Sequence, residues 1–240
     1  MILSRSSKAI IQVIILMGTK VHSYKFFILL FLFPISVFSQ IHQKTLDNGM
    51  KIFVKEDDRA PVVVSQVWYK AGSIDEVNGK TGIAHAFEHM MFKGTKTTKP
   101  GEFSEIIAAA GGRENAFTGA DYTCYFQRLE KSKLPISLKM EADRMQNLVV
   151  LEEEFKKEIQ VVMEERRWRT DDKPTARANE LMQSLAFISH PYGRPIVGWM
   201  DDLENMSYKD AEEWYQDWYA PNNAILVVAG DVSALSLIHI

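Results

Sequence analysis

Alternating apolar and polar positions predict several β-strands in the chain after residue 40. The run PVVVSQVWYK at 61–70 is rich in β-branched and aromatic residues, as strands commonly are. The segments Lys44-Thr45-Leu46 and Lys51-Ile52-Phe53-Val54 flank Asp47-Asn48-Gly49, a tight-turn sequence that predicts a hairpin. Further strands are predicted at 114–117, 122–129 and 224–229.

Helical spacing of apolar side chains predicts helices between these strands. Pro174 suits the first turn of one helix, and Ser207 with Asp210 forms a predicted capping box for another. Helices are predicted at 82–92, 101–110, 135–148 and 152–169, from 174 onward, and from 207 to 219. Because strands and helices do not alternate regularly and several strands look antiparallel, we expect an α+β fold with a mostly antiparallel sheet flanked by helices.

The first 39 residues have the composition of a secretory signal peptide. They contain basic but no acidic residues, and 26–38 form an apolar block interrupted by Pro34. This block is shorter than the about 20 residues of a membrane span and suits the apolar core of a signal peptide. With cleavage predicted between Ser39 and Gln40, we expect a periplasmic or secreted protein without a stable membrane span. A retained signal that anchors the protein to the membrane is the alternative.

Met17 is a more ordinary start for such a signal than Met1, because Lys20 and Lys25 follow it directly. Residues 1–16 would then be an upstream extension. The predicted mature chain begins at Gln40 with either start.

Charge and cysteine content argue against nucleic-acid binding, an internal disulfide and a cysteine nucleophile. Residues 40–240 carry 24 of the 28 Lys and Arg and all 31 Asp and Glu, which gives a net charge of −7. A nucleic-acid partner is therefore not expected, because binding to phosphates requires a basic face. Cys124 is the single cysteine, so no internal disulfide can form, and its strand-like surroundings predict a packed thiol rather than a nucleophile.

The candidate chemistry centres on the predicted helix at 82–92, with Thr81 as a plausible N-cap and Gly94 as a stop. His85 and His89 lie one turn apart on one face, where both imidazoles can bind one Zn²⁺. Glu88 lies beside them and can act as a general base. The order is H-x-x-E-H, the inverse of the H-E-x-x-H zinc helix. A chance grouping on a partly exposed helix is the alternative, and a zinc site needs a third protein ligand.

The carboxylate-rich helix at 152–169 offers candidates for that third ligand. Glu165 has Val161 and Val162 one turn before it and Trp168 at i+3, so we expect it to face the apolar side. Glu164 instead has basic and polar neighbours. A glutamate on an apolar face is costly unless a cation meets it, and Zn²⁺ would do so.

Glu158, two turns before Glu165 on the same stripe, is a candidate to support a histidine ligand. A solvated, charged helix is the alternative reading of this whole segment.

Several motifs together resemble the inverzincins, the pitrilysin/insulinase family of zinc metallopeptidases, which includes the mitochondrial processing peptidase. The zinc-type helix and the spacing of Glu158 and Glu165 after it are two of them. The others are Leu46-Asp47-Asn48-Gly49, Gly111-Gly112-x-x-Asn115-Ala116-Phe117-Thr118, Asp121-Tyr122-Thr123, His190-Pro191-Tyr192-Gly193, Pro221-Asn222-Asn223 and Val227-Val228-Ala229-Gly230-Asp231. They occur in the family order and cover about 42–232.

This resemblance implies a zinc-dependent endopeptidase domain at 40–232. His85, His89 and Glu165 would hold Zn²⁺, Glu88 would be the general base, and Glu158 would support the site. The strand formed by Asn115, Ala116, Phe117 and Thr118 resembles the edge strand on which these enzymes bind extended peptides.

The family also implies a second homologous domain, later in the chain or in a partner subunit. Residues 233–240 lack the charged amphipathic helix expected there, so we expect a C-terminally truncated domain or a non-native tail. A fragment of this kind would hold the metal site without a complete active site. Two alternatives stay open: a non-catalytic homologue that serves as a partner or scaffold subunit, and a zinc hydrolase of small molecules.

Overall fold

The computed structural model describes residues 41–238, with the side chain of residue 238 left out. The predicted signal peptide at 1–39, its cleavage point and the proposed upstream extension at 1–16 lie outside the described residues. So do the last two residues of the predicted tail. None of the helices in the described range combines the length and hydropathy needed to span a bilayer.

Six strands in the described range form one sheet in the order β1-β2-β6-β3-β5-β4. The strands are β1 (Ile41–Thr45), β2 (Lys51–Glu56), β3 (Val62–Tyr69), β4 (Arg113–Thr118), β5 (Thr123–Glu130) and β6 (Ala224–Gly230). All neighbouring pairs are antiparallel except β2 and β6, which run parallel. The predicted α+β class and mostly antiparallel sheet are confirmed, and β1 and β4 are the edges.

The α-helices in the described range are α1 (Ile83–Met90), α2 (Glu102–Ala109), α3 (Leu134–Asn147), α4 (Glu152–Arg166), α5 (Pro174–Ala186), α6 (Met200–Asn205), α7 (Tyr208–Trp218) and α8 (Ala234–Ile238). Six of them lie close to predicted positions, whereas α6 and α8 were not predicted. The predicted helix at 152–169 changes character near its end, because α4 stops at Arg166 and a π-helical turn, Arg167–Asp171, follows it. The capping box of Ser207 and Asp210 is present. Within the predicted tail, Ala234 and Leu237 are buried in the main core.

The core lies between one face of the sheet and the helices. In β3 the alternate residues Val63, Ser65, Val67 and Tyr69 are buried, whereas Val64, Gln66 and Trp68 stay partly exposed. This period of two identifies the face that packs against the helices, among which α3 contacts β3 directly. The prediction of a packed Cys124 thiol is confirmed, and burial raises its pKa to about 12.

An aromatic cluster fixes α1 on the sheet. Tyr219 packs between Tyr69 and Phe87, with ring centroids 4.1 Å and 4.5 Å away. Its hydroxyl lies 2.9 Å from that of Tyr125 on β5, so the hydroxyls of these two buried tyrosines pair with each other. Phe87 occupies the core side of α1, between the two histidines in sequence.

A buried ion pair joins α3 to β5. The fully buried Arg144 donates two hydrogen bonds to Glu141, one of them 2.9 Å long. Gln127 of β5 donates to the same carboxylate at 2.5 Å. The guanidinium also lies 4.4 Å from the ring centroids of both Phe103 and Tyr125. A charge with no access to water depends on these few contacts.

We expect Glu141→Gln to lower the free energy of unfolding by about 3–5 kcal/mol, because it leaves the Arg144 charge buried without its counter-ion. The double variant Glu141→Leu/Arg144→Met should lose less than Glu141→Gln. Denaturant titration of all three proteins measures both effects. Glu152→Gln, in an exposed pair with Lys156, is the matched control and should leave the midpoint unchanged. Equal losses for Glu141→Gln and Glu152→Gln would contradict a structural role for the buried pair.

Candidate metal centre

Helix α1 begins differently from the prediction. Its N-cap is Gly82, with φ of 88°, and not Thr81. The Thr81 hydroxyl donates to Asp202 at 2.5 Å, so it is not available to cap the helix. The carboxylate of Glu76 performs this task by accepting from the backbone N–H groups of Gly82 and Ala84 at 2.9 Å and 3.0 Å. Burial raises the pKa of Glu76 to about 8, against the effect of these two donors.

Two glycines let a second loop approach the start of α1. A Cβ on Gly82 would lie 2.5 Å from the Val197 carbonyl oxygen, and one on Gly198 would lie 2.4 Å from that of Thr81. Both glycines have φ of 88°, which side chains rarely allow. The loop that carries Pro195, Ile196 and Val197 is therefore held against the metal-site helix.

The histidines of α1 face two carboxylates of α4. Nε2 of His85 lies 3.6 Å from Oε1 of Glu165, and Nε2 of His89 lies 3.5 Å from Oε2 of the same residue. Nδ1 of His89 donates to Oε2 of Glu158 at 3.1 Å. Lys93 binds the other oxygen of Glu158 at 2.6 Å. Glu158 thus orients the His89 ring and leaves Nε2 directed at Glu165.

Helix α4 turns Glu165 inward and Glu164 outward, as predicted, but the apolar neighbours expected around Glu165 are only partly present. The Glu165 side chain is 16% exposed and that of Glu164 is 71% exposed. Of the apolar neighbours expected to cover Glu165, only Val162 is buried, whereas Val161 is 48% and Trp168 64% exposed. The α-helix ends at Arg166, so helical i+3 spacing does not apply to Trp168. Glu165 is instead enclosed by the two histidines and by Arg169, whose guanidinium lies 2.7 Å from Oε1.

The electrostatics of this group follow from burial and pairing. Burial, with the neighbouring His89, lowers the pKa of His85 to about 4. Burial also opposes a charge on His89, but hydrogen bonds to Glu158 and Glu165 outweigh it and raise its pKa to about 9. The hydrogen bond from His89 lowers the pKa of Glu165, and the pKa of Glu158 is also lowered, because bonds from His89 and Lys93 outweigh its burial.

Glu88 lies beside the histidines and points into the cleft. Thr118 of β4 donates a hydrogen bond of 2.5 Å to its Oε2. Burial raises the pKa of Glu88, opposed by this bond. A carboxyl group with a raised pKa is better able to hold a proton during a reaction than one exposed to water.

The cleft in front of these groups has a volume of about 560 Å³. One wall is the edge strand β4, whose residues Asn115, Ala116, Phe117 and Thr118 all line it. The Asn115 side chain accepts a 2.9 Å hydrogen bond from the Ala116 backbone, which marks that N–H as directed away from β5. The structure therefore brings the four predicted peptide-contacting residues to the same cleft as the histidines and Glu88.

The donor set suits a zinc ion with an open coordination position. Ligand atoms of His85, His89 and Glu165 lie within 4.8 Å of one another. Donors around a tetrahedral zinc ion are about 3.3 Å apart, close to the two His–Glu distances above. The buried Nδ1 of His85 has no hydrogen-bond partner among the described residues, so His85 lacks the support that Glu158 gives His89.

Sequence reasoning missed Glu76, Lys93 and Arg169. The contact of Arg169 with Glu165 was predictable from the sequence, because the two residues have the i,i+4 spacing of a helical ion pair. Glu76 gave none, because it lies six residues before Gly82, outside the three-residue spacing of a capping box.

Comparison with known proteins places the chain in a family. Residues 51–199 match the family model Insulinase (Peptidase family M16). The zinc protease PqqE of Helicobacter pylori is 42% identical over 191 residues, which cover 79% of this chain and 43% of that protein.

Solved structures agree with this match. A protease from Helicobacter pylori superimposes with a TM-score of 0.78 at 39% identity, over 84% of this chain and 49% of that one. The first half of the periplasmic protease PqqL from Escherichia coli gives 0.75 at 26% identity, over 82% of this chain and 44% of that one. The chain thus spans about half the length of the relatives it matches. It belongs to the insulinase family of peptidases, family M16.

Proposed function

We propose that the chain is the metal-binding domain of a zinc-dependent endopeptidase that hydrolyses bonds in extended peptides. One observation carries the proposal: His85, His89 and Glu165 converge beside Glu88 in a cleft bounded by an open edge strand. Zinc held by the three ligands would polarise the scissile carbonyl and lower the pKa of a water molecule to about 7.

In this proposal Glu88 moves the protons. It accepts one from the attacking water and delivers it to the leaving amine, so no covalent intermediate with the protein is needed. The bond from Thr118 to Oε2 holds the carboxylate in place and leaves Oε1 to take the proton. Glu158 and Lys93 keep the His89 ring in the orientation that the site requires.

The substrate would bind as an additional strand on β4. An edge strand presents unpaired main-chain groups on its outer side, and a peptide can pair with them whatever its side chains. This mode suits a peptidase that acts on extended segments. It also weighs against a hydrolase of small molecules, which would have no use for a strand edge.

Two further parts of the proposal concern the whole protein. A second homologous domain, in the same chain or in a partner subunit, would close over the bound peptide and complete the active site. This rests on the about twofold greater length of the relatives. We also propose export through the predicted signal peptide, which the periplasmic relative supports.

Metal binding should depend on Glu165 and not on its neighbour. Glu165→Gln should remove most of the zinc from purified protein, because it replaces a charged ligand by a neutral amide. Glu164→Gln, one residue away and exposed, should leave one zinc per chain. Metal analysis after dialysis measures both. Zinc lost from the Glu164 variant and kept by the Glu165 variant would refute the ligand assignment.

Catalysis should depend on Glu88 without affecting the metal. In a complete protein that includes the second domain, Glu88→Gln should keep its zinc and lose peptide hydrolysis by roughly 10²–10⁴-fold, since a general base contributes about that much. Exposed Glu105→Gln is the control and should retain full activity. A variant at Glu88 that kept its rate would have another base. A zinc-loaded, complete wild-type protein with no hydrolysis would instead identify a non-catalytic partner subunit.

Export can be tested on the expressed protein. Mass spectrometry of the exported fraction should give an N-terminus at or near Gln40. Intact 1–39 sequence recovered from the membrane fraction would favour the retained anchor.

A further inference from the structure

The turn after α4 brings a basic side chain back to the cleft in front of the candidate metal centre. Arg169 lies in the π-helical turn Arg167–Asp171, and its Nη1 lies 2.7 Å from Oε1 of Glu165. Among the described residues that line this cleft, it is the single Lys or Arg. A permanent cation therefore lies in the wall of the cleft, directly beside a candidate metal ligand.

The contact with Glu165 leaves most of the Arg169 guanidinium available to a second group. Arginine carries five N–H donors in a planar fork, and in the described part of the chain only Nη1 of Arg169 has a partner. The Arg169 side chain is 62% exposed, whereas that of Arg166 is 6% exposed and pairs with Glu180. Arg166 is therefore held by the fold, while Arg169 can still bind a ligand.

The acidic side chains that line the cleft already have partners. Both oxygens of Glu180 accept hydrogen bonds from Arg166, at 2.9 Å and 3.0 Å, and Glu88 accepts one of 2.5 Å from β4. Glu165 faces both histidines as well as Arg169. A divalent cation bound to Glu165 would weaken the hold of this carboxylate on the guanidinium. The cleft would then carry a surplus of positive charge, which favours an anionic group on the substrate.

A peptide paired with β4 would bring some of its side chains to this cation. Side chains alternate between the two faces of a sheet, so every second side chain of the added strand would face the helices. Thr118 of β4 already points to this side, since its hydroxyl binds Glu88. Because Nη1 of Arg169 lies 2.7 Å from an oxygen of a candidate metal ligand, the substrate group that reaches it belongs to a residue next to the scissile bond.

We propose that Arg169 is a specificity-determining residue that binds a substrate carboxylate, either of an acidic residue next to the scissile bond or of a chain end. The proposal rests on the proposed peptidase function and adds a substrate class to it. A guanidinium can meet a carboxylate with two parallel hydrogen bonds, and it repels a basic side chain. Backbone pairing on β4 accepts any side chain, so this charge supplies a selectivity that the strand edge lacks.

Arg169→Gln tests the proposal, because it removes the charge and keeps a polar side chain. Arg167→Gln is the matched control, since Arg167 belongs to the same turn, pairs with the exposed Glu164 and does not line the cleft. The complete, zinc-loaded protein would carry Glu88→Gln to prevent turnover. Fluorescence anisotropy would measure the binding of labelled decapeptides of Ser, Thr and Ala, with both ends blocked and one Glu, Gln or Lys at the centre. A labelled Ala pentapeptide with a free C-terminus, compared with its amide, tests the chain end.

We expect the Glu peptide to bind about tenfold more tightly than the Gln peptide of nearly the same size, as a hydrogen bond to a charged group typically confers. The Lys peptide should bind most weakly. Arg169→Gln should remove the difference between Glu and Gln, and Arg167→Gln should preserve it. Arg169→Lys should restore part of it, because it keeps the charge without the planar fork. A purely structural role of Arg169 would weaken all peptides alike and leave their ratio unchanged, which would refute the site.

A preference for the free pentapeptide over its amide, without one for Glu, would identify the carboxylate as that of a chain end, provided that Arg169→Gln removes it. Equal binding within both pairs of peptides would overturn the site. So would a carboxylate preference that survives Arg169→Gln, because the metal alone would then hold the carboxylate.

Cleavage by the complete wild-type protein separates this inference from the proposed function. Cleavage next to carboxylates that loses this preference in Arg169→Gln would support both. Cleavage without any relation to carboxylates would leave the peptidase standing and refute the site. A carboxylate preference in binding that depends on Arg169, without any hydrolysis, would refute the peptidase and keep the site.

Discussion

The crossing of α1 and α4 brings two imidazoles and two carboxylates into one half-buried space, and much of the described structure serves to keep them there. Groups of this kind lose hydration energy on burial unless charges of opposite sign compensate. Here Lys93 and Arg169 provide part of the compensation, and a divalent cation between the ligands would provide more. On the core side of α1, Phe87 packs against aromatic partners and holds the helix on the sheet. One side of this short helix therefore packs in the apolar core, while the other side carries the polar groups of the candidate site.

The end of α4 links this site to the wall of the cleft. Glu165 points to the histidines, while the next residue, Arg166, binds Glu180 of α5 and the carbonyl oxygen of Gly198. Consecutive residues therefore contact the candidate metal centre and the loop beside it. The π-helical turn that follows directs Arg169 back to Glu165, and such turns often occur at functional sites. A change in the packing of α5 that moves Arg166 would therefore also move the adjacent residue Glu165.

The features predictable from the sequence are those encoded over short distances. The hairpin at Asp47-Asn48-Gly49, the β3 strand and the histidine pair all follow from turn chemistry or periodicity. Features that depend on residues far apart in sequence were not predictable. Among them are the contact of Gly82 with Gly198 and the parallel pairing of β2 with β6. The orientation of the Glu165 side chain was predicted correctly. The apolar neighbour expected at Trp168 was not, because Trp168 is exposed to solvent.

The place of β6 in the sheet has a consequence for biogenesis. This strand comes last among the described strands in the chain, yet it lies at the centre of the sheet, between β2 and β3. Val228 pairs with both Val54 and Ser65, so the contacts that complete the sheet have a very large sequence separation. Such high contact order slows folding, and a nascent chain on the ribosome cannot close the sheet until residues 224–230 have emerged. Until then the two edges that flank the gap are exposed. The sheet beneath the candidate metal centre is consequently completed late in synthesis, when the final central strand is inserted.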